Sequence, residues 1–433
     1  MKAGAFGVEV VALGCPKALV DAQAILGILA GKGVSLRRKD EAPVVLVNTC
    51  GFIEDAQQES FAAIEEALGR GKKVVVAGCL GKRKEKIMSL FPGVFEVTGP
   101  EPKMAAEAVS RALGQAQSHP LPSPRLTPRH WAYLKISEGC NHACTFCIIP
   151  QFRGKLCSRP LDEILSQAKR LIEEGVKELV VVSQDTAAYG FDHQEKRGKE
   201  PPIVALCRAL GEMGVWVRLH YVYPYPFVED LVHLMKEGLI LPYLDVPFQH
   251  ASAKILSAMK RPASDSCHPL VQIEKWRAIF PDIALRTTLL VGFPGEGEKE
   301  FQELLHFVDQ AQIDRLGAFA FSPVEGAAAS TYLGQVPEEV KRRRQEVLLA
   351  RQKEISAKKL AMQVGRRKKV LVDEVRGTLA IARSAADAPE VDGKVYVRPG
   401  EGLSPGQWLD VRMEGASEHD LFARRVRGSR AFS

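Results

Sequence analysis

Short apolar runs rich in β-branched residues alternate with amphipathic segments along the first part of the chain. The runs are Val8–Leu13, Val44–Val47, Val74–Ala77 and Val94–Val97, and the amphipathic segments are Ala18–Leu29, Ile53–Leu68, Lys82–Leu90 and Pro102–Leu113. Uninterrupted apolar runs are typical of parallel strands buried on both faces, and parallel strands need crossover helices between them. The pattern therefore predicts an N-terminal doubly wound α/β domain over residues 1–117.

The alternation resumes after a proline-rich segment, residues 118–128, which holds four prolines in a polar context and is typical of a linker. Six strands are then expected near Trp131–Ile136, Glu178–Ser183, Val215–Tyr221, Tyr243–Val246, Ile283–Val291 and Arg315–Phe321. Six strand–helix units are too few for an eight-stranded barrel. Residues 129–360, which end in a charged helix, are therefore predicted to form a partial (β/α)6 barrel.

The last part of the chain is β-rich and is punctuated by Gly and Pro turns. The expected strands are Val370–Val375, Lys394–Val397, Leu409–Met413 and Asp420–Arg424. Short strands with such turns between them predict a small β-barrel over residues 361–428, followed by a tail of residues 429–433.

Composition excludes several classes of protein. Apolar residues make up 46% of the chain and charged residues 26%, which argues against wholesale disorder. No stretch approaches the roughly 18 consecutive apolar residues of a membrane helix, and the first residues lack the features of a signal peptide. We therefore expect a soluble cytoplasmic protein with no membrane partner, in which cysteines are reduced.

Three of the nine cysteines follow predicted strands directly. Cys15, Cys50 and Cys79 come after the first, second and third strands. Because the carboxyl ends of parallel strands share one edge of a sheet, the three thiols could meet at one metal centre there. Three ligands would leave one iron of a four-iron cluster open to an outside group. The alternative is that small buried cysteines lie near strand ends by chance.

A second set of cysteines is compact in sequence. Cys140, Cys144 and Cys147 lie just after the first predicted barrel strand, where a β/α loop at the carboxyl face would place an active site. Thiolates at this spacing suit zinc or an iron–sulfur cluster. Zinc usually takes a fourth protein ligand, and His142 lacks the spacing of a zinc finger, so the cluster is favoured. Its free iron could bind the amino and carboxylate groups of a substrate.

This Cys-x3-Cys-x2-Cys spacing, with Phe146 before the last cysteine, resembles the radical S-adenosylmethionine superfamily. The segments around all six cysteines resemble the methylthiotransferases of that superfamily, over essentially the whole chain; they are residues 13–21, 48–53, 78–80 and 138–150. The resemblance implies a domain with an auxiliary cluster, a radical S-adenosylmethionine barrel and a C-terminal TRAM β-barrel. Two residues beside Cys15 depart from the family pattern: Ala18 replaces the usual Asn, and Ala22 the usual Ser.

The resemblance also implies the cofactors. Cys15, Cys50 and Cys79 would hold one 4Fe-4S cluster, and Cys140, Cys144 and Cys147 a second 4Fe-4S cluster that binds S-adenosyl-L-methionine, the radical source and methyl donor. The residues expected, by position and by resemblance, to contact S-adenosylmethionine are Ser183, Gln184, Asp185, Gln249, Gly292, Gly295 and Glu296. No residue is assigned as a general acid or base, because the cofactors carry the chemistry. His220 and His250 are as readily explained as core histidines.

Three further segments, residues 183–190, 219–226 and 383–393, resemble the branch of the family that methylthiolates the β-carbon of an aspartate in small-subunit ribosomal protein twelve. The branch that modifies tRNA adenosine has different residues in all three places and is the alternative. A non-catalytic iron–sulfur carrier is more remote, because electron carriers usually close their clusters with four ligands. The chemistry also implies an electron donor such as flavodoxin or ferredoxin.

The charge of the C-terminal region favours a protein substrate. Although the chain carries a net charge of +7, residues 370–423 hold 5 basic and 10 acidic side chains, a net charge of −5. RNA-binding β-barrels have basic grooves with aromatic faces, whereas an acidic barrel complements a basic ribosomal protein, so tRNA is not expected. The basic residues Lys341–Arg344 and the C-terminal arginines form either a solvated surface or a contact with ribosomal RNA, if the substrate is the assembled ribosome.

Overall fold

Residues 6–114, 119–193, 200–264 and 268–426 are described by the computed structural model of the chain. The predicted tail, residues 429–433, lies outside the described residues, as does Cys267. The chain divides into two compact units. The first comprises Met1–Thr127, Glu138–Leu156 and Ser322–Ser330, and the second comprises Pro128–Ser137, Cys157–Phe321 and Thr331–Ser433.

The first unit contains a five-stranded sheet in the order β2-β1-β3-β4-β5, in which all neighbours are parallel. Its strands are β1 (Gly7–Ala12), β2 (Ser35–Leu36), β3 (Val44–Thr49), β4 (Lys73–Gly78) and β5 (Glu96–Val97). Its helices are α1 (Pro16–Gly31), α2 (Glu54–Gly69), α3 (Lys84–Leu90), α4 (Pro102–Ala112) and α5 (Ile149–Arg153), with a 3-10 helix at Cys79–Lys82 and another at Ala328–Thr331.

Helices cover both faces of this sheet. Val44 and Leu46 of β3 pack with α1 and α4, and Val45 and Val47 pack with α2 and α3. Successive residues of a strand point to opposite faces, so a strand covered on both sides is apolar throughout. The doubly wound prediction is confirmed. The two-residue strand β2 was not predicted, because it is too short to show a pattern.

The second unit contains an open sheet of six parallel strands in the order β13-β12-β11-β10-β9-β6, which confirms the partial (β/α)6 barrel. The strands are β6 (Trp131–Lys135), β9 (Glu178–Val182), β10 (Trp216–Leu219), β11 (Tyr243–Asp245), β12 (Ala284–Val291) and β13 (Arg315–Ala320). Two short strands, β7 (Ser137–Glu138) and β8 (Cys157–Ser158), precede and follow the cysteine loop in the chain. The helices are α6 (Leu161–Glu173), α7 (Pro202–Gly211), α8 (Val228–Lys236), α9 (Ala253–Ala258), α10 (Pro269–Ile279), α11 (Glu298–Ala311) and α12 (Glu338–Ala361).

Helix α12 leads into a closed five-stranded barrel in the order β14-β15-β16-β18-β17, which confirms the predicted small β-barrel. The strands are β14 (Arg367–Arg376), β15 (Leu379–Ser384), β16 (Val395–Arg398), β17 (Trp408–Ala416) and β18 (Leu421–Arg425). Strand β15 was not predicted from the sequence; its last two residues, Arg383 and Ser384, are polar but buried. None of the helices in the described ranges combines the length and the apolar character that a bilayer crossing requires.

The segment after β15 contacts the amino-terminal parts of β11, β12 and β13 through charged and hydroxyl groups. Asp387 Oδ1 lies 2.6 Å from Arg315 Nη2, at the start of β13. Asp392 accepts hydrogen bonds from Arg286 Nη1 at 2.5 Å and from the Tyr243 hydroxyl at 2.7 Å. These contacts hold the small barrel against the end of the sheet that is opposite to its carboxyl edge.

Candidate metal centres

The three N-terminal cysteines lie at the carboxyl edge of neighbouring strands. Cys50 follows the last residue of β3, Cys79 follows the last residue of β4, and Cys15 lies between β1 and α1 as the N-cap of that helix. Because β1, β3 and β4 are adjacent in the sheet, the loops that carry these thiols are neighbours.

The loop before Cys15 touches Cys50. Gly14 has φ +89°, which favours glycine, and a Cβ atom added there would lie 2.7 Å from Cys50 Cβ and 2.9 Å from Cys50 Sγ. Any larger residue at position 14 would therefore displace Cys50. The glycine is required both by the backbone conformation and by the closeness of the two loops.

Burial disfavours the thiolate forms of Cys50 and Cys79 when no metal is bound. Burial raises the pKa of the Cys79 thiol to about 11; the Arg153 guanidinium opposes this rise, and the charges of Cys15 and Cys50 add to it. Burial also raises the pKa of the Cys50 thiol, and the charge of Cys15 adds to the rise. Three thiolates that repel one another are stabilised by a bound cationic centre, since metal coordination deprotonates a thiol. This donor set fits an iron–sulfur cluster.

Arg153, the last residue of α5, is a residue of this site that was not predicted from the sequence. Arg153 Nε donates a hydrogen bond to Cys79 Sγ at 3.2 Å, and its Nη1 lies 3.0 Å from both carboxylate oxygens of Glu138 and 2.9 Å from Asp21 Oδ2. The side chain is 1% exposed. Its sequence context, a single arginine after an apolar turn, gives no sign of these partners.

The compact cysteine loop belongs to the same unit. Backbone N–H groups support its sulfurs, since His142 N donates to Cys140 Sγ and Ile149 N donates to Cys147 Sγ, each at 3.4 Å. The loop is closed by Cys140 N, which donates to Gly154 O at 3.1 Å. Cys140, Cys144 and Cys147 are all partly exposed, and the eight cysteines within the described ranges form no disulfide. The sulfurs are therefore accessible to an inorganic cluster.

No group of three or more His, Cys, Asp or Glu side chains in the described part of the chain is arranged around a single metal ion. This geometry is compatible with clusters, because each thiolate of a four-iron cluster binds a different iron. The thiolates of a cluster therefore lie farther apart than the ligands of a single ion.

In the second unit, the residues predicted to contact S-adenosylmethionine lie after β9, β11 and β12. Ser183 follows the last residue of β9 and is fully buried. The carboxylate of Asp185 accepts hydrogen bonds from Ala187 N at 3.1 Å and from the Tyr225 hydroxyl at 3.0 Å, so it stabilises the turn that contains Gln184. These contacts fix the loop, and its contact with the cofactor stays a prediction.

The carboxylate of Glu296 forms hydrogen bonds within and beside the glycine turn that follows β12. Its Oε2 accepts a hydrogen bond from Gly292 N at 2.9 Å, and its Oε1 accepts one from Arg344 Nη1 at 2.8 Å. Oε2 also lies 3.4 Å from His250 Nε2. Gly292 and Gly295 have φ values of +72° and +84°, which glycine adopts at little cost. The carboxylate therefore supports the backbone of this turn.

Gln249 is placed by its backbone. It has φ +71°, its N–H donates to Thr288 O at 2.9 Å, and its carbonyl accepts from Leu290 N at 2.7 Å, which extends the sheet beside β12. Its neighbour His250 is fully buried and accepts a hydrogen bond from Ser252 N at 2.9 Å, as expected of a core histidine.

The basic run at the start of α12 is neither wholly a solvated surface nor wholly available for contact with RNA. Lys341 and Arg344 are buried, and Lys341 Nζ donates to Phe321 O at 2.9 Å. Arg342 and Arg343, on the other side of the helix, are exposed. Half of the run therefore belongs to the packing of α12, and only the other half faces solvent.

Comparison with known proteins relates all three parts of the chain to described families. Residues 7–99 match the uncharacterized protein family UPF0004, residues 134–308 match the radical SAM superfamily, and residues 364–426 match the TRAM domain. These matches include all six candidate ligands, with Cys15, Cys50 and Cys79 in the first region and Cys140, Cys144 and Cys147 in the second.

Relatives resemble the chain over nearly its whole length. The ribosomal protein uS12 methylthiotransferase RimO of Marinobacter nauticus is 52% identical over 431 residues, which cover 96% of this chain and 94% of that protein. The proteins of the same name from Alkalilimnicola ehrlichii and Nitrosomonas europaea are 52% and 51% identical, and each alignment covers 96% of both chains. Among solved structures, the radical S-adenosylmethionine methyltransferase TsrM of Kitasatospora setae shares the fold, with a TM-score of 0.54 at 14% identity over 73% of this chain and 75% of its own.

Proposed function

The chain belongs to the RimO family of methylthiotransferases, and we propose that it transfers a methylthio group to the β-carbon of an aspartate in ribosomal protein uS12. It is an enzyme of the radical S-adenosylmethionine class, whose cofactors are 4Fe-4S clusters and S-adenosylmethionine. The observation that carries the proposal is that two separate sets of three cysteines lie in one compact unit, with Arg153 in contact with Cys79 and with the start of the second cysteine loop.

Each set of cysteines has its own role in the proposal. Cys15, Cys50 and Cys79 would hold the auxiliary cluster, and Cys140, Cys144 and Cys147 would hold the cluster that binds S-adenosylmethionine; a set of three ligands leaves one iron of each cluster open. When bound, the clusters and S-adenosylmethionine supply electron transfer, hydrogen abstraction from an unreactive C–H bond, and the sulfur and methyl groups of the product.

The residues of the chain bind and orient these groups. Backbone N–H groups of His142 and Ile149 direct hydrogen bonds at the cysteine sulfurs, which stabilises the thiolates. Ser183, Gln184 and Asp185 would contact the polar groups of S-adenosylmethionine. The backbone of the turn that Glu296 supports, together with Gln249, would line the site of its adenosine.

The partners follow from charge and chemistry. The acidic C-terminal barrel would dock the basic ribosomal protein, either free or on the ribosome, and complementary charge would speed their encounter. A flavodoxin or a ferredoxin would supply electrons. We place the reaction in the cytoplasm, where thiols stay reduced. tRNA modification is not favoured, since the relatives described above carry the name of a protein-modifying enzyme.

Mass spectrometry of uS12 tests the substrate. The full-length chain, reconstituted with iron and sulfide without oxygen, is incubated with uS12, S-adenosylmethionine and a reductant. We expect uS12 to gain the mass of a methylthio group in place of one hydrogen, on an aspartate. The Cys144→Ala variant is the matched control and should leave uS12 unchanged. A methylthio group found on tRNA instead, with uS12 unmodified, would refute the proposal.

A further inference from the structure

We propose that Arg153 is a positioning residue shared by the two candidate cluster sites, and that its hydrogen bond to Cys79 raises the reduction potential of the cluster on Cys15, Cys50 and Cys79. The inference rests on the proposed ligands of that cluster and goes beyond them, because it assigns the control of its potential to a residue that is not a ligand.

Arg153 is in direct contact with a candidate cluster ligand. Arg153 Nε lies 3.2 Å from Cys79 Sγ. Cys79 belongs to a buried apolar cluster that also contains Ile148 and Phe152. Hydrogen bonds to ligand sulfurs and the net charge near a cluster are two of the factors that set its potential. A donor with a full positive charge contributes both, and it stabilises the reduced state more than the oxidised state because the reduced state carries one more negative charge.

The charge of Arg153 is permanent and fixed in place. A guanidinium does not lose its proton in proteins. Asp21 and Glu138 pair with Arg153 Nη1. The side chain of Arg153 is 1% exposed, that of Asp21 is 3% exposed and that of Glu138 is 33% exposed. The guanidinium therefore does not have to be reoriented when the charge of the cluster changes.

One nitrogen of the Arg153 guanidinium has hydrogen-bonding capacity left over. Arg153 Nη2 is buried and makes no hydrogen bond with any residue in the described ranges. A buried donor without an acceptor is unfavourable, because it has lost its hydrogen bonds to water. An inorganic sulfide or another anionic group at this centre is the chemistry that would satisfy it.

The partners of Arg153 also connect the two cysteine sets. Glu138 is separated from Cys140 by a single glycine, and Asp21 lies on α1, the helix that begins after Cys15. One guanidinium thus contacts the helix after Cys15, the sulfur of Cys79 and the strand that leads to Cys140. We infer that it fixes the position of the compact loop relative to the N-terminal thiols, as well as the potential.

Redox titration of a single cluster tests the inference. In full-length chain with Cys140, Cys144 and Cys147 changed to alanine, only the N-terminal set can hold a cluster. After anaerobic reconstitution, bound iron is counted, and the reduced fraction is followed by electron paramagnetic resonance against applied potential. For Arg153→Gln we expect the ratio of reduced to oxidised cluster at a fixed potential to fall at least about tenfold, which for one electron is about 59 mV. Arg153→Lys keeps the charge but not the planar donor, so it should show a smaller fall.

Arg70→Gln is the matched control. Arg70 also lies between two carboxylates of the first unit, at 2.8 Å from both Glu9 and Asp40. Glu9 is early in β1, whereas the cysteines follow the carboxyl ends of the strands. The potential should not change in this variant.

The outcomes separate this inference from the proposed function. If the chain with the three alanines binds no iron, the proposed ligands are wrong. If it binds a cluster whose potential is the same with Arg153→Gln, the inference is overturned. If Arg153→Gln does not fold or does not bind iron, Arg153→Lys decides, and an unchanged potential in that variant overturns the inference.

Discussion

Arg383 and Glu178 form a buried ion pair in which Arg383 Nη1 lies 2.6 Å from Glu178 Oε2, with the side chains 3% and 0% exposed. The other carboxylate oxygen of Glu178 accepts from Arg218 Nε at 2.7 Å, and Arg383 also bonds Asp373. The first residue of β9 and the C-terminal barrel therefore share one charged network, and each member compensates the burial of the next.

Removing Arg383 should destabilise the second unit. With Arg383→Met, Glu178 and Asp373 lose a partner, and breaking a buried pair costs about 3–5 kcal/mol of unfolding free energy. Urea unfolding followed by tryptophan fluorescence measures it, because the rings of Trp216 and Trp408 lie 4.5 Å apart. Arg424→Met, which breaks a pair whose side chains are 69% and 49% exposed, is the control and should cost about 0–1 kcal/mol. Equal effects of the two changes would contradict the network.

The same network predicts loss of stability in acid. Burial alone raises the pKa of Glu178, but the charges of Arg383 and Arg218 outweigh it and hold that pKa below the ordinary value of 4.5. Asp387, with burial again opposed by Arg315, has its pKa lowered from 3.8. A depressed carboxylate pKa contributes stability that is present above the ordinary value and is lost as pH falls through the folded-state value.

We therefore expect the unfolding free energy of the second unit to fall as pH drops below about 4.5. Between pH 5 and neutrality these two carboxylates stay ionised, so they should cause no change in stability there. Urea unfolding at a series of pH values measures this. Asp387→Asn should flatten the dependence, because it removes one of the titrating groups. A slope in acid that is unchanged in this variant would show that other carboxylates are responsible.

Removing one ligand from each of the two cysteine sets should affect the reaction at different steps. Cys144→Ala should abolish cleavage of S-adenosylmethionine, because it removes a ligand of the cluster that binds the cofactor. Cys50→Ala should leave some cleavage but no methylthiolated product. Quantifying 5′-deoxyadenosine and product by mass spectrometry separates these outcomes. Cys157→Ala, at an exposed cysteine outside both sets, is the control and should retain both activities. Identical behaviour of the first two variants would refute the division of labour.

Loosening the glycine turn should weaken the binding of S-adenosylmethionine. Glu296→Gln removes the charge that pairs with Arg344 and weakens the support of Gly292 N. We expect the Kd for S-adenosylmethionine to rise about tenfold, equivalent to about 1.4 kcal/mol, by calorimetry on the reconstituted chain. The matched control is Glu298→Gln. The Glu298 side chain is 73% exposed and lies 3.8 Å from the same arginine, so its contact is weaker and its loss should leave the Kd unchanged. An unchanged Kd in the first variant would remove the turn from the binding site.

Local patterns were sufficient to predict much of this molecule. Val44–Val47 is apolar at every position because both faces of β3 are covered, and Cys50 could be placed at the sheet edge from its position after that strand. Strand β15 was missed because Arg383 and Ser384 are buried by partners elsewhere in the chain. Arg153 was missed for the same reason, since its contact with Cys79 spans 74 residues. Charged residues whose burial depends on distant partners leave no periodic signal in the sequence.

The contacts of Arg383 in β15 and of the segment after β15 limit how the C-terminal barrel can be exchanged. A barrel grafted from another protein onto the end of α12 would lack counterparts of Arg383, Asp387 and Asp392. Glu178, Arg315 and Arg286 would then lose a charged partner at the end of the six-stranded sheet. A functional chimera of this chain therefore has to carry both residues of each ion pair. The barrel and the end of the six-stranded sheet that it contacts have to be exchanged together.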